Sequence, residues 1–163
     1  MIRKRLSFLE QLVKLHLEDS KNLLYFDVTS FNWEKRSEKQ WSYRLRPTGL
    51  VHRGDFSPMH MLTIMNLDGV LAFQLIRESV TSEHIFNFLF TVFEKKGTRS
   101  TSTPFKLILD NSTLHKTLII KNLSLYCNVF FYFIVPKNPY FNLIEYVFRY
   151  IKSKNKTWFM YKR

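Results

Sequence analysis

The chain has 163 residues, of which 45% are hydrophobic and sixteen are Phe; this suits one folded domain with a sizeable core and excludes a disordered chain, which would lack the apolar residues to offset ordering entropy. Lys and Arg number 25 against 13 Asp and Glu, a net charge of +12, which favours polyanionic partners, nucleic acid first among them. The single cysteine, Cys127, excludes an internal disulfide framework and any multi-cysteine zinc site, and fits a reducing compartment.

The N-terminus is basic, Met1-Ile2-Arg3-Lys4-Arg5, but the segment after it is periodic and Glu10 interrupts it. It reads as a helix rather than a signal peptide. Leu6, Leu9, Val13 and Leu17 recur at helical spacing and form its expected apolar stripe. Asn22 to Asp27, NLLYFD, reads as a buried strand ending in an acid. Trp41 to Leu45 alternates large and polar residues, the pattern of an edge strand. Its Trp41, Tyr43, Arg44 and Arg46 interleave aromatic and basic groups, suited to strand packing or to touching a base. Met59 to Leu67 and Val70 to Ile76 are apolar runs joined by Asp68-Gly69, a hairpin signal.

Ile85, Leu89, Val92 and Phe93 share one face of a helix that Thr81 or Ser82 can cap. Residues 95 to 104 are polar and carry Gly, Ser, Thr and Pro, so they form a loop. Phe105 to Asp110, FKLILD, is a second short strand ending in an acid. Residues 113 to 125 predict a helix on Leu114, Leu118 and Leu125, and Val129 to Val135 a strand. That strand is the longest apolar run, far short of the roughly 20 residues of a membrane span, so no membrane partner is expected. A Pro-rich turn, 136–139, leads into a last helix from 142 to about 154, with Ile144, Val147, Phe148 and Ile151 inward. Antiparallel strands followed by βαβ units predict an α/β fold: a mixed five-stranded sheet flanked by helices, in the element order of the ribonuclease H-like fold. The expected layout is a linker helix over 1–20, a core over 21–155 and a basic tail over 156–163.

Ligand sites of open α/β sheets lie at the carboxyl ends of strands, where Asp27 and Asp110 both fall. Carboxylates brought together repel unless a cation holds them, and hard oxygen ligands suit Mg²⁺ or Mn²⁺. Each acid alone also fits a local role. Asp110 with Asn111-Ser112 fits a turn. Glu145 fits the N3 position of a capping box begun by Asn142.

LLYFDVTSFN resembles the first catalytic strand of the mariner-like and related insertion-sequence transposases of the DDE superfamily. FKLILDNSTLHK resembles their second motif, an apolar strand followed by Asp-Asn, then His and a basic residue. FYFIVPKNPYFNLIEYVFRYIKSK resembles the third, where a Pro-rich turn leads into Asn-Pro-Ile-Glu and an aromatic helix. Thirty-four residues lie between Asp110 and Glu145, the family's usual spacing. The resemblance spans about residues 3 to 155.

The resemblance implies that Asp27, Asp110 and Glu145 are the catalytic, metal-binding acids. They would hold two Mg²⁺ (or Mn²⁺) ions for DNA strand cleavage and then strand transfer, with no covalent protein–DNA intermediate. Asn111 and His115 match the second motif, to orient Asp110 or to approach the DNA backbone, and a helix-capping Asn and a surface His are open alternatives. Lys116, Arg149, Lys152 and Lys154 would contact DNA, and Lys156, Lys162 and Arg163 extend that basic run. The implied partners are transposon ends and target DNA, engaged by a homodimer. The implied location is the nucleus of a eukaryote or the cytoplasm of a bacterium. Three departures stand out: Val28 replaces a frequent Glu, Leu143 replaces the helix-starting Pro, and the end-reading helix-turn-helix region is missing. The C-terminus also stops 18 residues after Glu145. A truncated or decayed copy is therefore expected, and a catalytically inactive remnant that binds DNA or a partner is the alternative. A different nuclease of the same fold is disfavoured by the Asn142–Glu145 motif.

Overall fold

A computed structural model describes residues 2–31, 58–98, 102–136 and 138–160. The elements run α1 (Ile2–Asp19), β1 (Leu23–Phe31), β2 (Met59–Asn66), β3 (Gly69–Ile76), α2 (Ser82–Lys95), β4 (Phe105–Leu109), α3 (Leu118–Tyr126), β5 (Val129–Phe133) and α4 (Ile144–Met160). The expected edge strand at Trp41–Leu45 and the end of the basic tail lie outside the described residues. The strands form one sheet in the order β3-β2-β1-β4-β5. β1 pairs antiparallel with β2, and β2 with β3, while β4 lies parallel to both β1 and β5. The mixed five-stranded sheet is as expected.

β1 is rich in β-branched and aromatic residues and sits at the centre of the sheet with both faces covered. Alternation along it separates two cores. Leu24 and Phe26 point to the layer of α2 and α3, with Ile85, Leu89, Phe93, Ile120 and Leu123. Leu23 and Tyr25 point to the layer of α1 and α4, with Phe8, Leu12, Ile144 and Phe148. Truncating a fully buried residue such as Phe26 to Ala is expected to destabilise by about 3–5 kcal/mol.

Three local details differ from the sequence reading. β1 does not end at Asp27: Val28 to Phe31 continue it, because this β-branched and aromatic tail pairs with Met59 to Leu62. The hairpin turns on Leu67-Asp68, one residue earlier than expected. There Asn66 Oδ1 accepts from the N–H groups of Asp68 and Gly69 at 3.0 and 3.1 Å, and Gly69 takes φ +140, a conformation that side-chain-bearing residues rarely adopt.

The third difference is which helix faces are buried. α1 buries Phe8, Leu12 and Leu15, and leaves Leu6, Leu9, Val13 and Leu17 exposed. In the segment around α3, Leu114 starts a short 3-10 turn, and the helix buries Ile120 and Leu123 while Leu118 and Leu125 are exposed. Both segments carry apolar residues on more than one face, so periodicity alone does not select the inward one. α2 follows expectation: Thr81 caps it, accepting from His84 N–H at 3.3 Å, while His84 Nδ1 accepts from Thr81 N–H at 3.3 Å.

α1 is fastened to the sheet by a polar contact as well. His16 Nδ1 lies 2.8 Å from Leu12 O, which can only accept, so Nδ1 carries the proton. Nε2, at 2.9 Å, then accepts from the Tyr25 hydroxyl. Burial pushes that hydroxyl's pKa up, which keeps it a donor.

Candidate active site

The parallel pairing of β1 and β4 runs from Leu23↔Lys106 to Tyr25↔Ile108. Asp27 lies two residues beyond the last pair on β1, and Asp110 two beyond it on β4. By alternation Asp27 faces the α1–α4 side, as Tyr25 does, while Asp110 follows directly on the end of β4. Glu145 joins them from the first turn of α4, whose neighbours Ile144 and Phe148 are buried on that layer. The sheet thus brings the three sequence-predicted acids to one end of its central strands.

Asp27 is only 8% exposed. Its Oδ1 accepts from Val28 N–H at 2.7 Å and its Oδ2 from Asn142 Nδ2 at 3.1 Å. Burial pushes its pKa up to about 7; the Val28 N–H and the His115 charge lower it, while the charges of Asp110 and Glu145 raise it further. Asp110 behaves in the opposite way. Burial alone would raise it, but the His115 hydrogen bond, the charges of His115 and Lys116, and the Ser112 N–H together hold it below the usual carboxylate value. His115 Nδ1 lies 2.5 Å from Asp110 Oδ1, and Ser112 N–H donates to the same oxygen at 3.1 Å. Asp110 is therefore a turn acceptor as well as a member of the acidic group.

His115 is 2% exposed, with its ring edge-on to Phe26 at 5.4 Å. It is thus not a surface His, and its Nδ1 faces Asp110. Asn111 donates from Nδ2 to Ile134 O and so ties the loop after β4 to the segment after β5. Lys116, Arg149, Lys152 and Lys154 are exposed. Each lies over an aromatic ring: Lys116 over Phe133, Arg149 over Tyr146, Lys152 over Phe31 and Lys154 over Tyr150, all within 6 Å. A shallow cleft of about 150 Å³ lies beside Glu145, lined also by Tyr140, Tyr146 and Arg149.

Asn142 caps α4 as expected: its Oδ1 accepts from Ile144 N–H at 3.4 Å. The reciprocal half of the box is missing: among the described residues no hydrogen bond joins the Glu145 carboxylate to Asn142. Sequence reading missed two groups. One is the Asn142 amide on Asp27, a contact across 115 residues. The other is Thr63, directly across from Asp27 in the β1–β2 register. Its Oγ1 is buried without a hydrogen-bond partner, which costs about 1–3 kcal/mol. No short-range pattern marks either contact.

All three acids offer oxygen, the donor type that hard divalent cations take. Among the described residues no three His, Cys, Asp or Glu side chains stand close enough to share one ion, and none of the helices is long and apolar enough to cross a membrane.

The family model for a DDE superfamily endonuclease matches residues 22–161. Among solved structures, the Mos1 transposase catalytic domain with Raltegravir and Mn aligns with a TM-score of 0.59 and 12% identity, over 83% of this chain and 61% of that one. The Mos1 transposase paired-end complex with left transposon end gives 0.56 and 12%, over 79% and 40%. The simian T-cell lymphotropic virus intasome in complex with PP2A regulatory subunit B56 gamma gives 0.58 and 13%, over 85% and 41%. The chain thus spans less than two thirds of each of these proteins, and at such identity the likeness shows the fold, which is ribonuclease H-like. No curated protein sequence matches. The family match covers the whole sheet, both aspartates and Glu145, and the chain belongs to the DDE superfamily endonucleases.

Proposed function

We propose that this chain is the catalytic domain of a transposase that cuts DNA and joins its strands, with Asp27, Asp110 and Glu145 holding two divalent cations, Mg²⁺ or Mn²⁺. The observation that carries this reading is the placement of the acids: Asp27 and Asp110 lie just beyond the last pair of the neighbouring strands β1 and β4, and Glu145 lies in the first turn of α4, all within the family match. Solved structures of the Mos1 catalytic domain contain Mn or Mg, and Mos1 paired-end complexes hold a transposon end, which supports the same chemistry and partner.

The donor set fits such ions in type. Asp110 keeps Oδ1 on His115 and Ser112 and presents Oδ2. Asp27 would bind as its carboxylate, and Glu145 would supply its own from the first turn of α4. A bound divalent cation supplies Lewis-acid stabilisation of the phosphate and of the attacking and leaving oxygens. His115 keeps Asp110 ionised and aimed. Lys116, Arg149, Lys152 and Lys154 meet the DNA phosphates, which positions the duplex without reading its sequence.

The test is nicking of a supercoiled plasmid and joining of a pre-cut duplex end by the purified chain. Both are expected with Mn²⁺ or Mg²⁺ and lost with EDTA. Cutting that persists in EDTA or in Asp110→Ala, or no cutting of either DNA, would overturn the reading. A DNA complex with the mass of two chains is the expected product on paired ends.

A further inference from the structure

Asn142 is 1% exposed, and both ends of its amide are engaged. Nδ2 donates to Asp27 Oδ2 at 3.1 Å. Oδ1 accepts from Ile144 N–H at 3.4 Å, and its backbone carbonyl accepts from Glu145 N–H at 3.1 Å. A side chain needed only as a helix cap uses its oxygen, and Ser or Asp serves as well as Asn. Here the nitrogen is buried and directed at an acid from another element. Thr63 adds an independent observation. It is 1% exposed, faces Asp27 across the strand pair, and holds an unused hydroxyl. Directly opposed residues on antiparallel strands lie on one face with Cβ atoms about 4.5–5.5 Å apart.

Resting on the metal-dependent reaction proposed above, we infer that Asn142 is a positioning residue for Asp27, with Thr63 as a second donor engaged when that carboxylate turns toward an ion. The same amide that starts α4 aims Asp27, so the first and third acids are spaced as one unit. A carboxylate oxygen has lone pairs for both a hydrogen bond and a cation, so the Asn142 bond would be compatible with a metal contact, as with outer-shell partners of ligands.

The test compares Asn142→Ser and Thr63→Val with the wild-type chain. Serine keeps the cap but is too short to reach Asp27; valine replaces the hydroxyl with a methyl of similar size. Thermal stability, Mn²⁺ binding by calorimetry, and plasmid nicking against Mn²⁺ concentration are measured. Asn142→Ser is expected to melt near the wild-type temperature, to bind Mn²⁺ about 10–100-fold more weakly, and to recover nicking at high Mn²⁺. Thr63→Val is expected to shift Mn²⁺ affinity the same way, by less. If folded Asn142→Ser binds Mn²⁺ and nicks like wild type, Asn142 is only a cap and the inference falls while the proposed function stands. If the wild type neither binds Mn²⁺ nor nicks, the proposed function falls and this inference with it. Should Asn142→Ser fail to fold, unchanged Mn²⁺ affinity in Thr63→Val overturns the inference.

Discussion

Asp27 and Asp110 are the same residue type, each two residues past the last β1–β4 pair, Asp27 within β1 and Asp110 just after β4. Their proton affinities nevertheless move in opposite directions. Asp27 has two neutral N–H donors against deep burial and two negative neighbours. Asp110 has His115, Ser112 and Lys116 on its side. Position beyond the shared β1–β4 pairing brings both residues to the site, and the partners decide the charge. Without an ion, one acid is held ionised and the other is poised to keep its proton.

The largest effect that would break this comparison is loss of either acid. Asp27→Ala and Asp110→Ala are both expected to reduce Mn²⁺-dependent nicking by about 10³-fold or more, measured as single-turnover rates. If one is dispensable, the two are not equivalent ligands. His115→Phe sharpens the contrast. It leaves burial of Asp110 with less opposition, so the Asp110 pKa rises, the acid limb of the nicking profile moves to higher pH, and the rate falls about 10–100-fold. An unchanged pH profile would show that His115 does not hold Asp110 down.

Asp27→Asn probes the other side without metal. Below its ordinary value of 3.8, Asp27 is protonated in folded and unfolded chains alike. As the pH rises, the unfolded carboxylate ionises first, and stability is lost until the folded one ionises near 7. The variant is therefore expected to be more stable than wild type by roughly 2–4 kcal/mol above neutrality, with the gain vanishing in acid. A melting-temperature difference flat across pH would refute this. The smallest effects belong to the rim. Arg149→Ala and Lys152→Ala are each expected to weaken DNA binding uniformly across sequences and to lower the salt slope by about one, read by fluorescence anisotropy.

The acids were legible in the sequence because apolar runs ending in Asp and a fixed spacing to Glu145 are local patterns. The sheet was legible for the same reason. The inward faces of α1 and α3 were not, because Leu6 and Phe8, or Leu118 and Ile120, are equally apolar and only the neighbouring strands choose between them. The environment of Asp27 was hidden for a different reason. Thr63, Asn142 and Asp110 come from three distant segments, and no window of sequence contains them together.

The central position of β1 has a consequence for how the protein folds. The β2–β3 hairpin closes over a two-residue loop, whereas the β1–β4 pairing joins Tyr25 to Ile108, a closure of about 80 residues. Loop-closure entropy makes the first contact fast and the second slow. Under the proposed function, cutting competence would be gained only once this long-range pairing has formed, since Asp27 and Asp110 lie just beyond it. A nascent or partly opened molecule holding only the hairpin would lack the assembled acids.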